Sequence, residues 1–175
     1  LARTAQPDGD VDDFVFTEHH AEYSLSRGPD GAARLTTEER LVARFPDRDQ
    51  NRGIVRAIPL DYDGVELGTT LTSVTDEAGH PVPTETWEEN GSLMVATGDD
   101  RFLRGEQTFV LRYEQRNTVR AFADTRAEEF YWDTNGVAWA QTFERASAEI
   151  RLTPELSERL TGEAACYRGG QGDTE

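Results

Sequence analysis

Residues 14–45 read FVFTEHHAEYSLSRGPDGAARLTTEERLVARF and predict two long β-strands joined by a tight turn. The turn lies at Gly28-Pro29-Asp30-Gly31, where proline presets φ and glycine accepts a positive φ. In residues 32–45, apolar and polar side chains alternate with a period of two, which is typical of a strand with one buried face. Glu39 interrupts the apolar face, so we expect a bulge or a sheet edge there.

The rest of the chain repeats this pattern of short extended segments separated by turns. Asn90-Gly91 predicts a tight hairpin, and Pro154 opens a single short predicted helix over residues 154–161. The further predicted strands are residues 54–58, 65–75, 92–97, 107–116, 129–133, 138–143 and 145–152. This spacing predicts an all-β fold, an immunoglobulin-like or jelly-roll-type antiparallel β-sandwich with at most short helices.

The length of 175 residues fits one domain. We assign residues 13–162 to a single β-sandwich domain. Residues 1–12 and 163–175 are rich in glycine, aspartate and other small or polar residues, so we expect a flexible lead-in and a flexible tail.

The charge of the chain excludes one class of partner. It carries 18 basic and 34 acidic side chains, a formal net charge of −16. Nucleic acid is a polyanion and would be repelled, so we expect no nucleic-acid partner. An anionic membrane surface is disfavoured as a docking site for the same reason.

The patterns typical of metal sites and of catalysis are missing or incomplete. Residues 8–13 space carboxylates as a calcium loop does, but the loop positions that need Gly and Glu hold Asp13 and His19. His19 and His20 are neighbours in a predicted strand and point to opposite faces. The sequence has no Cys-x-x-Cys, His-Glu-x-x-His, nucleophile elbow or P-loop. We therefore predict no metal, no cofactor and no catalytic residue.

Three tryptophans leave a glycan-binding or glycan-cleaving domain open as an alternative. Tryptophan rings can stack on sugars, and two carboxylates several ångström apart can hydrolyse a glycosidic bond. Tryptophans in β-sandwiches are more often core residues, so we expect Trp132 and Trp139 to be mainly buried. The residues of the alternative are Trp87, Trp132, Trp139, Glu88, Glu89, Glu128, Glu129 and Asp133.

Two motifs, taken together, carry a family resemblance. The first is NRGIVRAIP at residues 51–59, and the second is EFYWDTNGVAW at residues 129–139. Between them lie Gly98-Asp99 and then GEQTFVLRY at residues 105–113. Over roughly residues 14–170, this order resembles the bacterial predicted membrane proteins grouped as domain of unknown function 2207. The departures from the family's pattern are Arg52 and Gln107, each in place of histidine, Phe109 in place of tyrosine and Phe130 in place of leucine.

The resemblance implies an export signal, an extracytoplasmic β-rich domain, and then membrane helices with a low-complexity tail. It implies no known activity and no catalytic residue. Residues 163–175 would then lead towards a membrane segment outside this sequence. We therefore expect an extracytoplasmic, non-catalytic binding or scaffolding domain of a membrane-anchored bacterial protein. Its partner would be an unknown protein or a cell-envelope glycan.

The motif residues are the candidate site, with a structural or a binding role. Gly53 and Gly136 are expected where a side chain would clash or where φ is positive, and Arg56 could pair with Asp61 or Asp133. Cys166 is either an incidental thiol or the partner of a second cysteine beyond residue 175 in the oxidising environment of an exported protein. The candidate residues are Arg52, Gly53, Arg56, Pro59, Tyr131, Trp132, Gly136 and Trp139.

Overall fold

A computed structural model describes residues 10–123, 126–136 and 138–170, and it is built almost entirely from β-strands. The elements are β1 (Val15–Arg27), β2 (Ala33–Phe45), β3 (Val55–Pro59), β4 (Asp61–Tyr62), β5 (Val65–Glu66), β6 (Thr70–Thr75), β7 (Thr84–Glu89), β8 (Ser92–Thr97), β9 (Gly105–Arg116), β10 (Val119–Phe122), β11 (Ala127–Phe130), β12 (Ala146–Leu152) and α1 (Pro154–Ser157). The predicted all-β class is confirmed. The immunoglobulin-like or jelly-roll type stays a prediction.

A five-stranded sheet with the order β12-β1-β2-β9-β6 dominates the fold. The long strands β1 and β2 pair antiparallel, because the turn at residues 28–31 reverses the chain between them. β9 pairs antiparallel with the other side of β2. β12 returns from far along the sequence and pairs with β1 in parallel. The sheet is therefore mixed, although the sequence pattern predicted antiparallel pairing throughout.

Three smaller sheets complete the structure, with the orders β3-β8-β7, β4-β5 and β10-β11. The main core cluster joins Ile58 of β3 and Val95 of β8 to Phe16, Leu41 and Leu111 of the large sheet. The three-stranded sheet thus covers one face of the five-stranded sheet, which we call the inner face. A second cluster lies beside it, around Tyr23 and Leu35.

Several local predictions are corrected by the structure. The predicted strand 65–75 is split into β5 and β6 around Gly68, whose φ is +55°. Residues 138–143 form no regular strand among the described positions, because Trp139 and Phe143 turn inward and pack against Phe16. The helix ends at Ser157, well before residue 161. β11 covers Ala127–Phe130 rather than 129–133.

The hairpin predicted at Asn90-Gly91 is confirmed. These residues have φ of 49° and 74°, and they join β7 to β8. β7 itself was not predicted, because its sequence TETWEE is exposed at every position and shows no apolar alternation.

The division into residues 1–12, 13–162 and 163–175 stays a prediction, and residues 1–9 and 171–175 lie outside the described residues. In the described part of the chain, no helix is long and apolar enough to cross a membrane.

Candidate functional site: a buried ionic cluster beneath the motifs

Glu39 and Arg56 form an ion pair in the interior, between the two main sheets. Glu39 is fully buried on β2, and Arg56 on β3 is 3% exposed. The guanidinium donates from Nε to Oε2 at 2.8 Å and from Nη2 to Oε1 at 2.7 Å. Both sequence-based expectations for these residues are wrong. The ladder at Glu39 is regular on both sides, and Arg56 pairs with Glu39 rather than Asp61 or Asp133, because it points to the inner face.

Tyr113 and His19 complete the cluster around this carboxylate. The Tyr113 hydroxyl on β9 donates to Glu39 Oε1 at 2.7 Å. His19 on β1 is fully buried, with Nε2 4.0 Å from Glu39 Oε2. Neither ring nitrogen of His19 has a hydrogen-bond partner among the described residues. Three adjacent strands and β3 therefore converge on one carboxylate.

The electrostatics of the cluster follow from burial and from mutual pairing. Burial alone would raise the pKa of Glu39, but the Arg56 charge and the hydrogen bonds from Arg56 and Tyr113 hold it below its usual value. Burial would lower the pKa of Arg56, and Glu39 reverses this and raises it. Burial raises the pKa of Tyr113 well above its usual value. At neutral pH the cluster thus holds a carboxylate, a guanidinium and a neutral phenol.

His19 behaves differently from its charged neighbours. Burial lowers its pKa to about 4, although the nearby Glu39 carboxylate favours the protonated form. The positive charge of Arg56 also opposes protonation. His19 is therefore neutral at physiological pH.

The second motif folds over the guanidinium of the first. Gly136 has φ of +70°, and a Cβ there would lie 2.9 Å from Arg56 Nη1, so a side chain would press on the guanidinium. The Trp139 ring is 5.7 Å from Arg56 Cζ and is 8% exposed. Its Nε1 donates to the carbonyl of Asn135 at 2.6 Å. The two motifs thus meet at Arg56, far apart in sequence but adjacent in space.

The other residues of the first motif lie at close contacts between loops and strands. A Cβ at Gly53 would overlap the backbone carbonyl of Thr97, so this position admits only glycine without a shift. Arg52 places its guanidinium 4.4 Å from the centre of the Phe102 ring. The Pro59 carbonyl accepts hydrogen bonds from Thr69 Oγ1 and from Gln115 Nε2.

The aromatic residues of the second motif divide between core and surface. Trp139 is buried, as expected, whereas Trp132 is only half-buried. The Trp132 ring stacks on Phe130 at 5.9 Å and meets Tyr62 edge-on at 6.5 Å. Tyr131 is 51% exposed. We name these three rings, Tyr62, Phe130 and Trp132, together with their exposed sequence neighbour Tyr131, the aromatic patch.

The three tryptophans do not share one platform. Trp139 lies in the main core cluster, Trp132 belongs to the aromatic patch, and Trp87 is on β7 at the edge of the three-stranded sheet. The glycan alternative in its original form, with all three rings on one surface, is therefore wrong.

An open groove of about 440 Å³ lies on the outer face of the large sheet. Its charged side chains pair with each other: Arg40 lies 3.5 Å from Glu18 and 2.8 Å from Glu77. Arg44 and Glu144 pair at 2.6 Å. The groove is lined by four glutamates and three arginines, so these pairs balance most of its charge.

Three potential metal ligands, His20, Glu22 and Glu149, come together on the same outer face. Arg151 donates to both carboxylates, with Nε 2.7 Å from Glu149, and Ser147 Oγ lies 2.8 Å from His20 Nδ1. The cluster is thus already bridged by an arginine. The sequence-based expectation of no metal stays a prediction.

Sequence reasoning missed Glu39, His19 and Tyr113 as members of the cluster. For Glu39 and His19 the signal was a charged or polar side chain at a position where the strand pattern required an apolar one, whereas Tyr113 gave no such signal, because it fits the apolar face of β9. Glu39 showed it most clearly, and the correct inference was a buried partner rather than a bulge.

Native leukotriene A4 hydrolase from Saccharomyces cerevisiae aligns with a TM-score of 0.45 and 10% identity, over 79% of this chain and 23% of that one. The M1 zinc metallopeptidase from Deinococcus radiodurans aligns with a TM-score of 0.39 and 14% identity, over 58% of this chain and 20% of that one. The chain thus spans only about a fifth of these structures, and likeness at this level does not indicate function. No curated protein matches the sequence.

The family pattern described as "Predicted membrane protein (DUF2207) N-terminal domain" matches residues 20–174, which include both motifs and every residue of the cluster except His19. The chain therefore belongs to this family of predicted membrane proteins, whose function is unknown.

Proposed function

We propose that this chain is the extracytoplasmic, non-catalytic binding or scaffolding domain of a membrane-anchored protein. One observation carries the non-catalytic part: the motif residue Arg56 is enclosed with Glu39 inside the core. A catalytic group must reach its substrate. Glu39 already accepts hydrogen bonds from Arg56 Nε, Arg56 Nη2 and Tyr113 Oη, which occupy three of the roughly four lone-pair positions of its carboxylate.

The enclosed cluster supports a scaffolding role for the motifs. It links β1, β2, β9 and β3 through a single carboxylate, and the second motif covers it from above. Such a network fixes how the two sheets pack and how the loops around it are held. Binding residues are often on exposed loops, and a rigid interior holds such loops in a fixed conformation.

Membrane anchoring rests on the family, and the extracytoplasmic side is part of the proposal. Cys166 is exposed and gives a direct test of the side. Whole cells that produce the full-length protein would be treated with a membrane-impermeant maleimide, with and without prior mild reduction. Labelling in intact cells that is lost in Cys166→Ser would support the extracytoplasmic side. Labelling that requires cell lysis would place the domain in the cytoplasm and contradict the proposal.

A glycan partner is the second candidate, and the aromatic patch is the observation that favours it. Tyr131 and Trp132 expose apolar ring surface beside Asp133, an arrangement that suits sugar stacking with a hydrogen-bond acceptor nearby. The test is a binding screen of the chain against cell-wall fragments. Saturable binding that is lost in Tyr131→Ala, with the fold intact, would establish this candidate.

Trp87→Ala is the matched control for that screen, because Trp87 is 42% exposed but lies on a different sheet. An equal loss of fragment binding in Trp87→Ala and Tyr131→Ala would indicate non-specific binding to exposed aromatic side chains. No binding to any fragment would leave a protein partner as the proposed role.

A further inference from the structure

β12 is the outermost strand of the five-stranded sheet, and no described residue pairs with its second edge. Six of its seven positions are exposed, and Ile150 is 54% exposed. Ala146, Ala148 and Ile150 share their face with the buried residues His19, Ala21 and Tyr23 of β1. The edge thus combines free backbone groups with uncovered apolar side chains.

The hydrogen bonds to β1 determine which backbone groups of β12 point outward. At one end His19 N donates to the carbonyl of Arg145, and at the other Thr153 N donates to the carbonyl of Leu25. In a regular parallel ladder, the residues that bond to the neighbour alternate with residues that point away. The odd-numbered residues therefore face β1, and Ala148, Ile150 and Leu152 present their N–H and C=O groups to the open edge.

This edge lacks three of the features that usually prevent strand addition. Natural edge strands are protected by proline, by a bulge or by an inward-pointing charge. β12 has no proline, its register with β1 is unbroken, and its charges lie on the outer face only. The edge strand β7, in contrast, carries Glu85, Glu88 and Glu89 without a basic residue, so two copies of it would repel each other.

The charges of β12 select one antiparallel register with a second copy of itself. In three registers of such an antiparallel pair, the backbone groups that point to the open edge face each other across the contact. These registers differ in which charged side chains lie opposite each other on the outer face. Centring on Glu149 opposes two glutamates, and centring on Arg151 opposes two arginines. When the twofold axis passes beside Ile150, Glu149 of each copy lies opposite Arg151 of the other copy on the outer face. Ala148 of each copy then lies opposite Leu152 of the other copy on the inner face. Opposite charges across an antiparallel pair stabilise it, and like charges destabilise it.

We propose that two copies of this chain associate through β12 about a twofold axis at Ile150, and that the two large sheets become one continuous sheet. The outward N–H and C=O groups of Ala148, Ile150 and Leu152 then find partners. The proposal goes beyond the scaffolding role and is independent of the side of the membrane.

The end of β12 is compatible with this arrangement. Pro154, which has no N–H, begins α1 immediately after the strand. Leu156 of α1 packs against the cluster around Tyr23 and Leu35, so the helix turns onto the inner face and leaves the edge open. Because the contact is one strand wide, it belongs to the class of small, weak interfaces.

Sedimentation equilibrium of the 175-residue chain at micromolar to millimolar concentration is the first test. We expect the average mass to rise towards twice that of the monomer. Glu149→Arg and Arg151→Glu should each weaken association at least about tenfold, because each replaces two opposite-charge pairs by like-charge pairs. The double variant Glu149→Arg/Arg151→Glu should restore association. A parent chain that stays monomeric at millimolar concentration would overturn the proposal.

Cross-linking tests the register and does not depend on the charge variants. In a Cys166→Ser background, Ile150→Cys places one thiol on each side of the twofold axis, within reach of a short bifunctional maleimide. Trp87→Cys, on the other exposed edge strand, is the matched control. We expect a covalent dimer from Ile150→Cys and monomer from Trp87→Cys, with circular dichroism showing both folded. A dimer from Trp87→Cys alone would assign the contact to β7 and refute the proposal.

Discussion

Glu39 is the residue on which the two sheets depend most directly. Its pair with Arg56 lies where the two groups are shielded from water, so the two charges are compensated by each other, by Tyr113 and by the Ala57 carbonyl, which accepts from Arg56 Nη1 at 3.0 Å. A buried pair is a weak source of net stability, since desolvation offsets its attraction, but removing one partner leaves an uncompensated charge. The pair therefore acts mainly as a constraint on how the sheets pack.

Glu39→Gln should destabilise the fold by about 3–5 kcal/mol, because the buried Arg56 guanidinium loses its counter-charge. Urea denaturation at pH 7.5 measures the effect. Glu38→Gln is the matched control on the same strand, since Glu38 pairs with Arg112 at 2.7 Å on the outer face and is partly exposed. An exposed pair of this kind contributes at most about 1 kcal/mol. Equal losses of stability in the two variants would show that Arg56 does not depend on the charge of Glu39.

His19 should make the fold acid-labile in a defined range of pH. Its folded pKa of about 4 is below the unfolded value of 6.5, so between these values the unfolded chain binds more protons. The stability that the fold gains from keeping His19 neutral is fully present above pH 6.5, and it is lost as the pH falls towards 4. Between pH 7.5 and 4.5 this corresponds to roughly 2–3 kcal/mol. Glu39, whose pKa is also lowered, adds to the loss at lower pH.

The measurement is the free energy of unfolding against pH for the parent, His19→Gln and His20→Gln. The slope between pH 4.5 and 6.5 should be smaller in His19→Gln and unchanged in His20→Gln, whose ring is partly exposed. The slope, rather than the absolute stability, is the readout, because His19→Gln also changes packing. Identical slopes in the parent and His19→Gln would contradict the assignment.

At the scale of single elements, Trp139 and Trp132 illustrate how two tryptophans of one motif differ. Trp139 packs on Phe16 and Phe143 in the core, and Trp132 stacks on Phe130 with one face towards solvent. Trp139→Ala should cost about 3–5 kcal/mol, and Trp132→Ala clearly less. Thermal or urea unfolding of both variants measures this. Comparable losses would show that the aromatic patch is as important to the fold as the core.

The elements that the sequence could predict are those whose burial is one-sided. β1, β2 and β9 alternate apolar and polar residues, because one face meets the three-stranded sheet and the other meets water. β7 and β10 were missed, because they have little or no buried face to produce alternation. Residues 138–143 were predicted wrongly, because Trp139 and Phe143 have high β-propensity but pack as an irregular segment over Phe16.

The buried cluster was beyond prediction for a different physical reason. Glu39 and Arg56 lie on separate strands, and Glu39 and Tyr113 are 74 positions apart in sequence. Which side chains meet depends on how two sheets pack, and local periodicity carries no information about that. The motifs could be recognised as a family pattern, but their meeting point required the structure.

At the scale of the whole molecule, the net charge of −16 is the feature that distinguishes this domain. Exposed arginines pair locally with carboxylates, as Arg40 does with Glu77 and Arg112 with Glu38. The 34 acidic side chains nevertheless outnumber the 18 basic ones, so nearly half of the negative charge is not balanced by positive charge. This excess repels itself in the compact state and lowers stability. It also opposes association between copies, so a contact through β12 must overcome long-range repulsion.

Salt should therefore stabilise the chain. Raising sodium chloride from about 0.01 M to about 0.1 M shortens the Debye length from about 30 Å to about 10 Å, which screens repulsion across the molecule. The same salt weakens exposed ion pairs, but each contributes at most about 1 kcal/mol, so the free energy of unfolding in urea should rise. Chloride is preferred to sulfate, because sulfate strengthens apolar burial by itself. Glu85→Gln/Glu88→Gln removes two exposed charges on β7 and should reduce the rise. Stability that falls with salt would instead mean that the exposed ion pairs outweigh the excess negative charge.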